Sequence, residues 1–331
     1  MSEQPVYAIT PKILTLVEQI GEAVGRVETS GVFRDLRLRR INRIRTIHST
    51  LAIEGNILSE TQVSTILDGK RVAAPPKDIQ EVRNAIRAYE QYQQWNPTSE
   101  TDLLTAHAIL MSGLLDAPGH YRLGEVLVAG RGKIHHVGPP AWRVPHLMRD
   151  LLMWLGNTDQ HPLIVSSVFH YEFEFIHPFE DGNGRMGRLW QNLILTRWKA
   201  MFANIPVENL VRDYQSGYYA AIRQSSAEGE STAFIAFMLE MILESTRLTG
   251  TGDQVTDQAT DQVAGLLAAL QEGPKTAAEL MEELGLLHRP TFRKNYLQPA
   301  MDAGLVEMTH PESPTAKNQK YRLVAGRRRG K

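Results

Sequence analysis

The chain has 331 residues, of which 42% are hydrophobic and 22% are charged, and its formal net charge is −1. This length predicts a main domain with a smaller companion, and the composition is that of a globular protein with a substantial core. A net charge this close to zero gives no overall attraction to nucleic acid or to an anionic membrane. The sequence contains no cysteine, which excludes disulfides, thiol catalysis and cysteine metal sites.

Features of the sequence favour a cytoplasmic location. The first residues, Met1-Ser2-Glu3-Gln4-Pro5, are polar and do not resemble a secretory signal. The longest apolar runs are too short to span a bilayer. We therefore expect a cytoplasmic enzyme with no membrane partner.

Apolar residues at helical spacing predict that the chain is mainly α-helical up to about residue 248. The first helix should begin at Thr10-Pro11, and the second should run from Asp35 to Glu54 with an arginine-rich face that we interpret as solvated. Ser59-Glu60-Thr61-Gln62 has the form of a capping box that opens a short helix. Further helices are predicted at residues 78–95, 102–114, 144–155, 163–175, 185–198, 209–227 and 232–247.

Strand signals interrupt this helical pattern once. Val126-Leu127-Val128 and Ile134-His135-His136-Val137 flank a glycine-containing turn, which predicts a β-hairpin over residues 126–137. Neighbouring residues of a strand point to opposite faces of the sheet. For this reason we interpret His135 and His136 as a poor pair of metal ligands.

The last 80 residues differ in character from the rest. Thr-Asp-Gln repeats make residues 249–262 a polar linker. Helices predicted at 263–271, 276–284 and 291–297, followed by strands at 305–309 and 320–324, form the pattern of a small winged helix. Such a domain docks on proteins or binds DNA, and a DNA-binding regulator is the alternative class of function. Its groove-binding helix would carry His288, Arg289, Arg293 and Lys294.

The segment from His177 to Arg188 has the composition of a nucleotide-phosphate site. Its glycines allow the backbone N–H groups of Gly182, Asn183 and Gly184 to surround an anion. A helix that starts at this point adds its positive N-terminal end.

The side chains of the same segment supply acid–base and charge chemistry. His177 is a candidate general base, since an imidazole titrates near neutral pH. Asp181 is a candidate Mg²⁺ ligand, because magnesium typically takes one or two carboxylates and completes its shell with phosphate oxygens. Arg185 and Arg188 are three residues apart on the predicted helix, so both guanidinium groups can point the same way. No His-x-x-x-His pair lies near His177, and the sequence contains no P-loop motif.

The pattern His-Pro-Phe-x-x-Gly-Asn-Gly-Arg-x-x-Arg, complete here from His177 to Arg188, resembles the signature of the Fic family. Enzymes of this family mostly transfer AMP from ATP to hydroxyl groups of proteins. The resemblance covers about residues 10–248 and implies a mainly α fold with a β-hairpin flap and an N-terminal inhibitory helix. It also implies a domain order: a helical and catalytic region at 1–248, a linker at 249–262, a winged helix at 263–325 and a basic tail at 326–331.

The resemblance implies a role for each motif position. His177 matches the general base, Asp181 the Mg²⁺ ligand, and Gly182, Asn183 and Gly184 the anion hole. Arg185 matches the arginine that holds the inner phosphates of ATP, and Arg188 the one that holds the γ-phosphate. A relative that phosphorylates its target has lysine in place of Gly184, which argues against a kinase here.

The resemblance extends to base and target recognition. Tyr218 and Tyr219 resemble an aromatic pair near the adenine pocket. Relatives can have an asparagine shortly after this pair, and Ser226 is the nearest equivalent here, so another nucleotide remains an alternative to ATP. The hairpin at 126–137 resembles the flap that binds a target protein as an added strand. Self-modification and a homodimer are further partner possibilities.

Thr50-Leu51-Ala52-Ile53-Glu54-Gly55 resembles the inhibitory motif of the family, Ser/Thr-x-x-x-Glu-Gly/Asn. A carboxylate at Glu54 can form a bidentate ion pair with Arg188 and withhold it from the γ-phosphate. Thr50 lies one helical turn before Glu54 and can orient it by hydrogen bonding. We therefore predict an autoinhibited adenylyltransferase that uses Mg²⁺ and ATP. Removal of AMP, with Glu54 activating water, is the alternative reaction.

Overall fold

The computed structural model describes residues 4–130, 133–251, 263, 265–271, 273–286, 289–302, 305–312 and 319–324. Within these ranges, residues 127–130, 133–137, 251, 290, 291, 294, 295 and 302 are described by their backbone alone. The chain divides into two compact units, residues 1–251 and residues 252–331.

Side chains that cap helices fix where the first elements begin. Thr10 and Asp35 each accept a hydrogen bond from a backbone N–H group in the first turn of the helix that follows. The predicted capping box is present between Ser59 and Gln62. These residues open helices α1 (Pro11–Ser30), α2 (Leu36–Ile53) and α3 (Glu60–Leu67).

The remainder of the first unit is mainly α-helical, so the predicted fold class is confirmed. The predicted helix at 209–227 is wrong in one respect, because Tyr214, with φ −101° and ψ 31°, interrupts the helical path and divides it in two. The last helix also extends to Thr251, into the segment predicted as a linker, and the rest of that linker lies outside the described residues. The helices are α4 (Pro76–Gln91), α5 (Glu100–Leu110), α6 (Val144–Asn157), α7 (Pro162–Ile176), α8 (Asn183–Trp198), α9 (Val207–Asp213), α10 (Gln215–Glu228) and α11 (Thr232–Thr251).

The predicted hairpin lies between α5 and α6. Strand β1 (Leu127–Gly130) pairs antiparallel with β2 (Lys133–Val137), and the register shifts after Val128. Such a bulge places one extra residue in one strand and bends it. The side chains of His135 and His136 lie outside what the structure describes.

Two hydrophobic cores hold the first unit together. Phe169, Phe173 and Trp190 lie in the core that α7 and α8 share with α2, α4, α5 and α6. The second core forms between α1, α9, α10 and α11, and includes Val168 of α7 and Leu195 of α8. Because α7 and α8 contribute to both cores, the loop between them has a fixed position.

The second unit contains helical residues at 265–269, helices Ala277–Glu283, Arg289–Phe292 and Gln298–Asp302, and a π-helical turn, Arg293–Leu297. Both predicted strands are present, as β4 (Val306–Met308) and β5 (Lys320–Leu323). A strand that the sequence did not predict, β3 (Lys275–Thr276), pairs with β5 and gives the antiparallel order β3-β5-β4. It is two residues long, too short for a recognisable alternation of apolar and polar residues.

None of the helices in the described ranges combines the length and the apolar character needed to cross a bilayer.

Candidate active site

The loop between α7 and α8 begins with a strained residue. His177 follows the last turn of α7 with φ 50° and ψ 62°, the left-handed conformation. Among the described residues it is the only non-glycine residue with positive φ. This conformation costs roughly 1–2 kcal/mol for a residue with a Cβ, so surrounding contacts must hold it in place.

Arg122, in the segment before the hairpin, supplies part of that hold. Its Nε donates to the carbonyl of His177 at 2.8 Å, and its backbone N–H donates to the carbonyl of Pro178 at 2.9 Å. The same buried guanidinium donates to the carbonyls of Gly124 at 2.8 Å and Pro139 at 2.5 Å, on either side of the hairpin. Five N–H donors in one plane suit a site made of carbonyl groups. Arg122 therefore joins the His177 loop to both ends of the hairpin.

A side-chain amide closes the middle of the loop. Oδ1 of Asn183 accepts the backbone N–H of Phe179 at 2.9 Å, and its Nδ2 donates to the carbonyl of Phe179 at the same distance. The side chain of Asn183 therefore shapes the loop, and only its backbone N–H can take part in an anion site. The ring of Phe179 is buried and stacks on His107 at a centroid distance of 3.6 Å.

His107, on α5, contacts the loop through the ring of Phe179 and the carbonyl of Asp181. Its Nδ1 accepts the backbone N–H of Gly119 at 2.8 Å, so its Nε2 carries the proton and donates to the carbonyl of Asp181 at 3.0 Å. Burial lowers the pKa of His107 to about 4, so the ring is neutral at pH 7. His107 was not among the residues predicted for the site. Its position among the buried Leu103, Ala106 and Leu110 was the available signal.

We call the backbone at the start of α8 the candidate anion cradle. Of the three N–H groups that we expected to surround an anion, those of Gly182, Asn183 and Gly184, the N–H of Gly182 donates to Oδ1 of Asp181 at 2.5 Å. Gly182 precedes the helix with φ 83°, and the N–H of Met186 is the first to bond back, to the carbonyl of Gly182 at 3.0 Å. The N–H groups of Asn183, Gly184 and Arg185 therefore precede the first intrahelical donor, at the positive end of the helix. A Cβ at Gly184 would lie 2.3 Å from Oε1 of Glu54. The carboxylate of Glu54 thus lies against the cradle.

Arg188 binds Thr50 and Glu54, at the end of α2. Its Nη2 donates to Oε1 of Glu54 at 2.6 Å and to the carbonyl of Thr50 at 2.9 Å, and its Nε donates to Oγ1 of Thr50 at 2.9 Å. The ion pair is single rather than bidentate, because Nε is engaged by the hydroxyl group. Thr50 binds Arg188 and not Glu54, contrary to the expected contact. Burial lowers the pKa of Arg188, but the combined effect of Glu54, Tyr218 and Glu174 is larger and the pKa lies above the usual value.

Arg185 has different partners. Its Nη1 donates to Oε1 of Glu81 on α4 at 3.2 Å, and its Nη2 donates to Oδ1 of Asp181 at 3.1 Å. From their spacing we expected the two motif arginines to point the same way. They do not, since they bind different carboxylates. The reason is that α4 offers the buried carboxylate of Glu81 to Arg185, while the end of α2 offers the partly exposed carboxylate of Glu54 to Arg188. Asp181 is 52% exposed, and Glu180 beside it is also exposed.

The imidazole of His177 is oriented by its own helix. Its Nδ1 lies 3.3 Å from the carbonyl oxygen of Glu174 and 3.9 Å from Oε2 of the same residue. An Nδ1–H donor to this carbonyl leaves the lone pair on Nε2. That tautomer is the one a general base requires.

Glu174 and His170 form a buried pair that the sequence analysis did not identify. Burial raises the pKa of Glu174 to about 8; Arg188 lowers it and Glu54 raises it. Among the described residues, its Oε1 has no hydrogen-bond partner. Burial lowers the pKa of His170 to about 3, and its nitrogens bond to Gln191 at 2.6 Å and to the hydroxyl of Tyr218 at 3.1 Å. Both side chains are therefore mainly uncharged at pH 7.

Tyr218 and Tyr219 occupy different environments. Tyr218 is only 2% exposed and packs in the second core, so its ring is not an open surface for a base. Tyr219 is partly buried and meets Tyr218 edge to face at 5.3 Å. Burial raises the pKa of Tyr219 and the nearby Glu54 carboxylate raises it further. Tyr219 is therefore the partly exposed member of the pair, and the charge of Glu54 acts on it.

The described residues contain no group of three or more His, Asp and Glu side chains that could hold a metal ion. The half-exposed carboxylate of Asp181, next to the anion cradle, fits a Mg²⁺ ion that takes one protein carboxylate and completes its shell with phosphate oxygens.

The residues expected to contact DNA lie in the second unit. Arg289 and Arg293 are exposed, the side chain of Lys294 is not described, and His288 lies outside the described residues. DNA binding stays a prediction.

Family models, solved structures and curated relatives that carry the name Fic match this chain. A family model described as Fic/DOC family matches residues 97–195. Another, described as Filamentation induced by cAMP protein Fic-like, C-terminal domain, matches residues 261–324. A crystal structure of a Fic family protein from Desulfovibrio desulfuricans is 50% identical, with a TM-score of 0.72, and the match covers 98% of this chain and 100% of that one.

More distant structures share the fold alone. A Fic domain containing signaling protein from Bacteroides thetaiotaomicron is 20% identical with a TM-score of 0.57, over 73% of this chain and 98% of that one. Fic-1 from C. elegans is 21% identical with a TM-score of 0.59, over 74% and 72% of the two chains.

Curated relatives carry the name protein adenylyltransferase Fic. The one from Aedes aegypti is 30% identical over 209 residues, which is 60% of this chain and 40% of that protein. The one from Nematostella vectensis is 29% identical over 235 residues, which is 65% of this chain and 52% of that protein. The matched part of the chain therefore spans about half the length of these relatives, or less.

Proposed function

Because the chain belongs to the Fic family, we propose that it is a protein adenylyltransferase that uses Mg²⁺ and ATP and is held at low activity by Glu54. The observation that carries this proposal is the 2.6 Å contact between Oε1 of Glu54 and Nη2 of Arg188. It lies against the first turn of α8, where the phosphates of a nucleotide would bind.

The proposed reaction transfers AMP to a Ser, Thr or Tyr hydroxyl of a target protein. Nε2 of His177 takes the proton of that hydroxyl as its oxygen bonds to the α-phosphorus of ATP. The bond from this phosphorus to the bridging oxygen breaks, and pyrophosphate leaves. The N–H groups of Asn183, Gly184 and Arg185 stabilise the charge on the phosphate oxygens as it redistributes.

A Mg²⁺ ion held by Asp181 would neutralise charge on the phosphates during this transfer. Arg185 would orient the inner phosphates and Arg188 the γ-phosphate. The target would add a strand to the hairpin at 126–137, with main-chain hydrogen bonds supplying affinity. Arg122 would keep the hairpin at a fixed position relative to His177, because it binds the carbonyl of His177 and the carbonyls of Gly124 and Pro139 that flank the hairpin.

In the resting enzyme Glu54 would compete with the γ-phosphate for Arg188. The carboxylate is 31% exposed, so it can turn away without unpacking a core. ATP that binds while Glu54 stays in place would lack the contact to Arg188, and its α-phosphorus would not be aligned with the attacking hydroxyl. Inhibition would therefore act on the geometry of bound ATP.

The test is intact-mass measurement of the Glu54→Gly protein, and of proteins in a lysate, after incubation with ATP and Mg²⁺. We expect a mass gain matching AMP on the enzyme itself or on a target, no gain in the Glu54→Gly, His177→Ala double variant, and no gain when Mg²⁺ is chelated. A gain that matches phosphate would overturn the proposed reaction. Equal incorporation from α-labelled ATP with Glu54 present or replaced would overturn the proposed inhibition.

A further inference from the structure

Glu81, on α4, connects two parts of the site that the motif alone does not join. Its Oε1 accepts from Nη1 of Arg185 at 3.2 Å, and its Oε2 accepts from Nδ2 of Asn56 at 2.8 Å. All three side chains are buried. A buried carboxylate that uses both oxygens in charge-assisted or amide hydrogen bonds holds its partners more rigidly than an exposed pair does.

Asn56 belongs to the turn that carries Glu54. The turn leaves α2 through Gly55, whose φ is 94°. Nδ2 of Asn56 also donates to the carbonyl of Asp78 at 3.1 Å, and its Oδ1 accepts the backbone N–H of Leu58 at 3.1 Å. The amide of Asn56 therefore fixes the turn to the start of α4.

We propose that Glu81 is a positioning residue that sets the guanidinium of Arg185 and ties it to the turn bearing Glu54. This inference rests on the proposed function. The other partner of Arg185 is Asp181, which is half exposed and is the expected cation ligand. When a cation occupies Asp181, Glu81 is the carboxylate that still holds Arg185 toward the phosphates.

The connection makes the two motif arginines parts of one network. Arg188 reaches the turn through Glu54, and Arg185 reaches it through Glu81 and Asn56. Asn56 contributes to inhibition, because it keeps Glu54 in place. Glu81 contributes to inhibition through Asn56 and to catalysis through Arg185. Substitution of Asn56 should therefore matter only while Glu54 is present, whereas substitution of Glu81 should lower catalysis when Glu54 is absent.

The first experiment measures catalysis in the Glu54→Gly background. Glu81→Gln retains the size of the side chain but removes one of its two acceptor oxygens. We expect kcat to fall about tenfold, since small misplacement of a reacting phosphate is costly. In the Arg185→Ala, Glu54→Gly background the same substitution should cost less than about twofold, because its effect acts through Arg185. Calorimetric titration with ATP and Mg²⁺ should show weaker binding for Glu81→Gln only while Arg185 is present.

The second experiment examines the turn. With Glu54 present, Asn56→Ala should raise AMP transfer several-fold; in the Glu54→Gly background it should change transfer less than about twofold. Hydrogen exchange at the amides of Asn56 and Leu58 should be faster in both Asn56→Ala and Glu81→Gln. Glu28→Gln, which removes an exposed pair with Lys199, is the matched control and should change neither readout.

If Glu81→Gln lowers kcat equally whether residue 185 is arginine or alanine, Glu81 does not act through Arg185. That result would show a merely structural role and overturn the proposal. Unchanged hydrogen exchange in the turn would overturn the tie between Glu81 and Asn56. These outcomes are separate from a failure of the proposed function, in which Glu54→Gly would transfer no AMP. In that event the exchange and ATP-binding measurements still decide whether Glu81 joins Arg185 to the turn.

Discussion

The Cβ position of Gly184 lies 2.3 Å from Oε1 of Glu54, far closer than two such atoms can approach. It also lies 3.0 Å from Nη1 of Arg188. A glycine at this point of α8 is therefore required for the Glu54 carboxylate to reach Arg188 as it does in the structure. The need is steric, and its shortest contact is lost when Glu54 is replaced.

Gly184→Ala should destabilise the protein by about 1–3 kcal/mol, because the new methyl group displaces the Glu54 carboxylate. In the Glu54→Gly background the same substitution should be neutral or stabilising by up to about 1 kcal/mol, since alanine favours a helix over glycine. Urea denaturation of the parent protein, Gly184→Ala, Glu54→Gly and the double variant measures the change in unfolding free energy in each background. A similar change in the two backgrounds would contradict the steric account.

Thr50→Val should raise AMP transfer, but less than Glu54→Gly does. It removes the hydroxyl that accepts from Nε of Arg188 and leaves the carboxylate contact. A buried donor without its acceptor costs about 1–3 kcal/mol, which weakens the resting arrangement. Thr50→Ser keeps the hydroxyl and is the matched control. If the valine and serine variants transfer AMP at the same rate, the hydroxyl contributes nothing to inhibition.

Glu174 should make stability depend on pH. Burial raises its pKa in the folded protein to about 8, against 4.5 in the unfolded chain, so unfolding releases a proton between these values. The free energy of unfolding should therefore fall as pH rises from 4.5 to 8, by at most about 1.4 kcal/mol per pH unit from this residue. Glu174→Gln should remove that fall. Denaturation curves across this window test it, and parallel pH profiles for the two proteins would refute it.

Arg122→Lys should lower AMP transfer in the Glu54→Gly background by about tenfold or more. Lysine keeps the charge but cannot span the carbonyl groups of Gly124, Pro139 and His177 with one planar group. Hydrogen exchange in the hairpin should rise at the same time. Arg26→Lys, at an exposed pair with Glu22, is the control and should behave like the parent protein. If Arg122→Lys transfers AMP at the full rate, the hydrogen bonds from Arg122 to these carbonyl groups are not needed for activity.

Local signals predicted much of this architecture. Thr10, Asp35 and Ser59 mark helix starts because a capping side chain bonds within its own turn. The contact between Glu54 and Arg188 was predicted because both segments resemble motifs of one family and the two charges are complementary. The resemblance, and not any local signal, joined two residues that lie 134 positions apart.

The supporting residues could not be predicted because their partners come from distant elements. Arg122 binds backbone carbonyls, which every residue possesses, so its partners leave no trace in the sequence. Glu81 and Glu174 look like ordinary helix-surface glutamates, and only the packing of α4 and α7 buries them. The spacing of Arg185 and Arg188 likewise gave no indication that Arg185 would bind Glu81 on α4.

The burial of α2 determines how inhibition would be released. Ile44, Ile47 and Leu51 lie in one core of the first unit and Ile53 lies in the other, so the helix cannot leave without unfolding both. What can move is the side chain of Glu54. Side-chain rotation takes picoseconds to nanoseconds, whereas turnover typically takes milliseconds or longer. The resting activity would then be set by the fraction of time that the Glu54 side chain spends away from Arg188. Because the side chain rotates many times within each turnover, the activity would change gradually with any condition that changes this fraction.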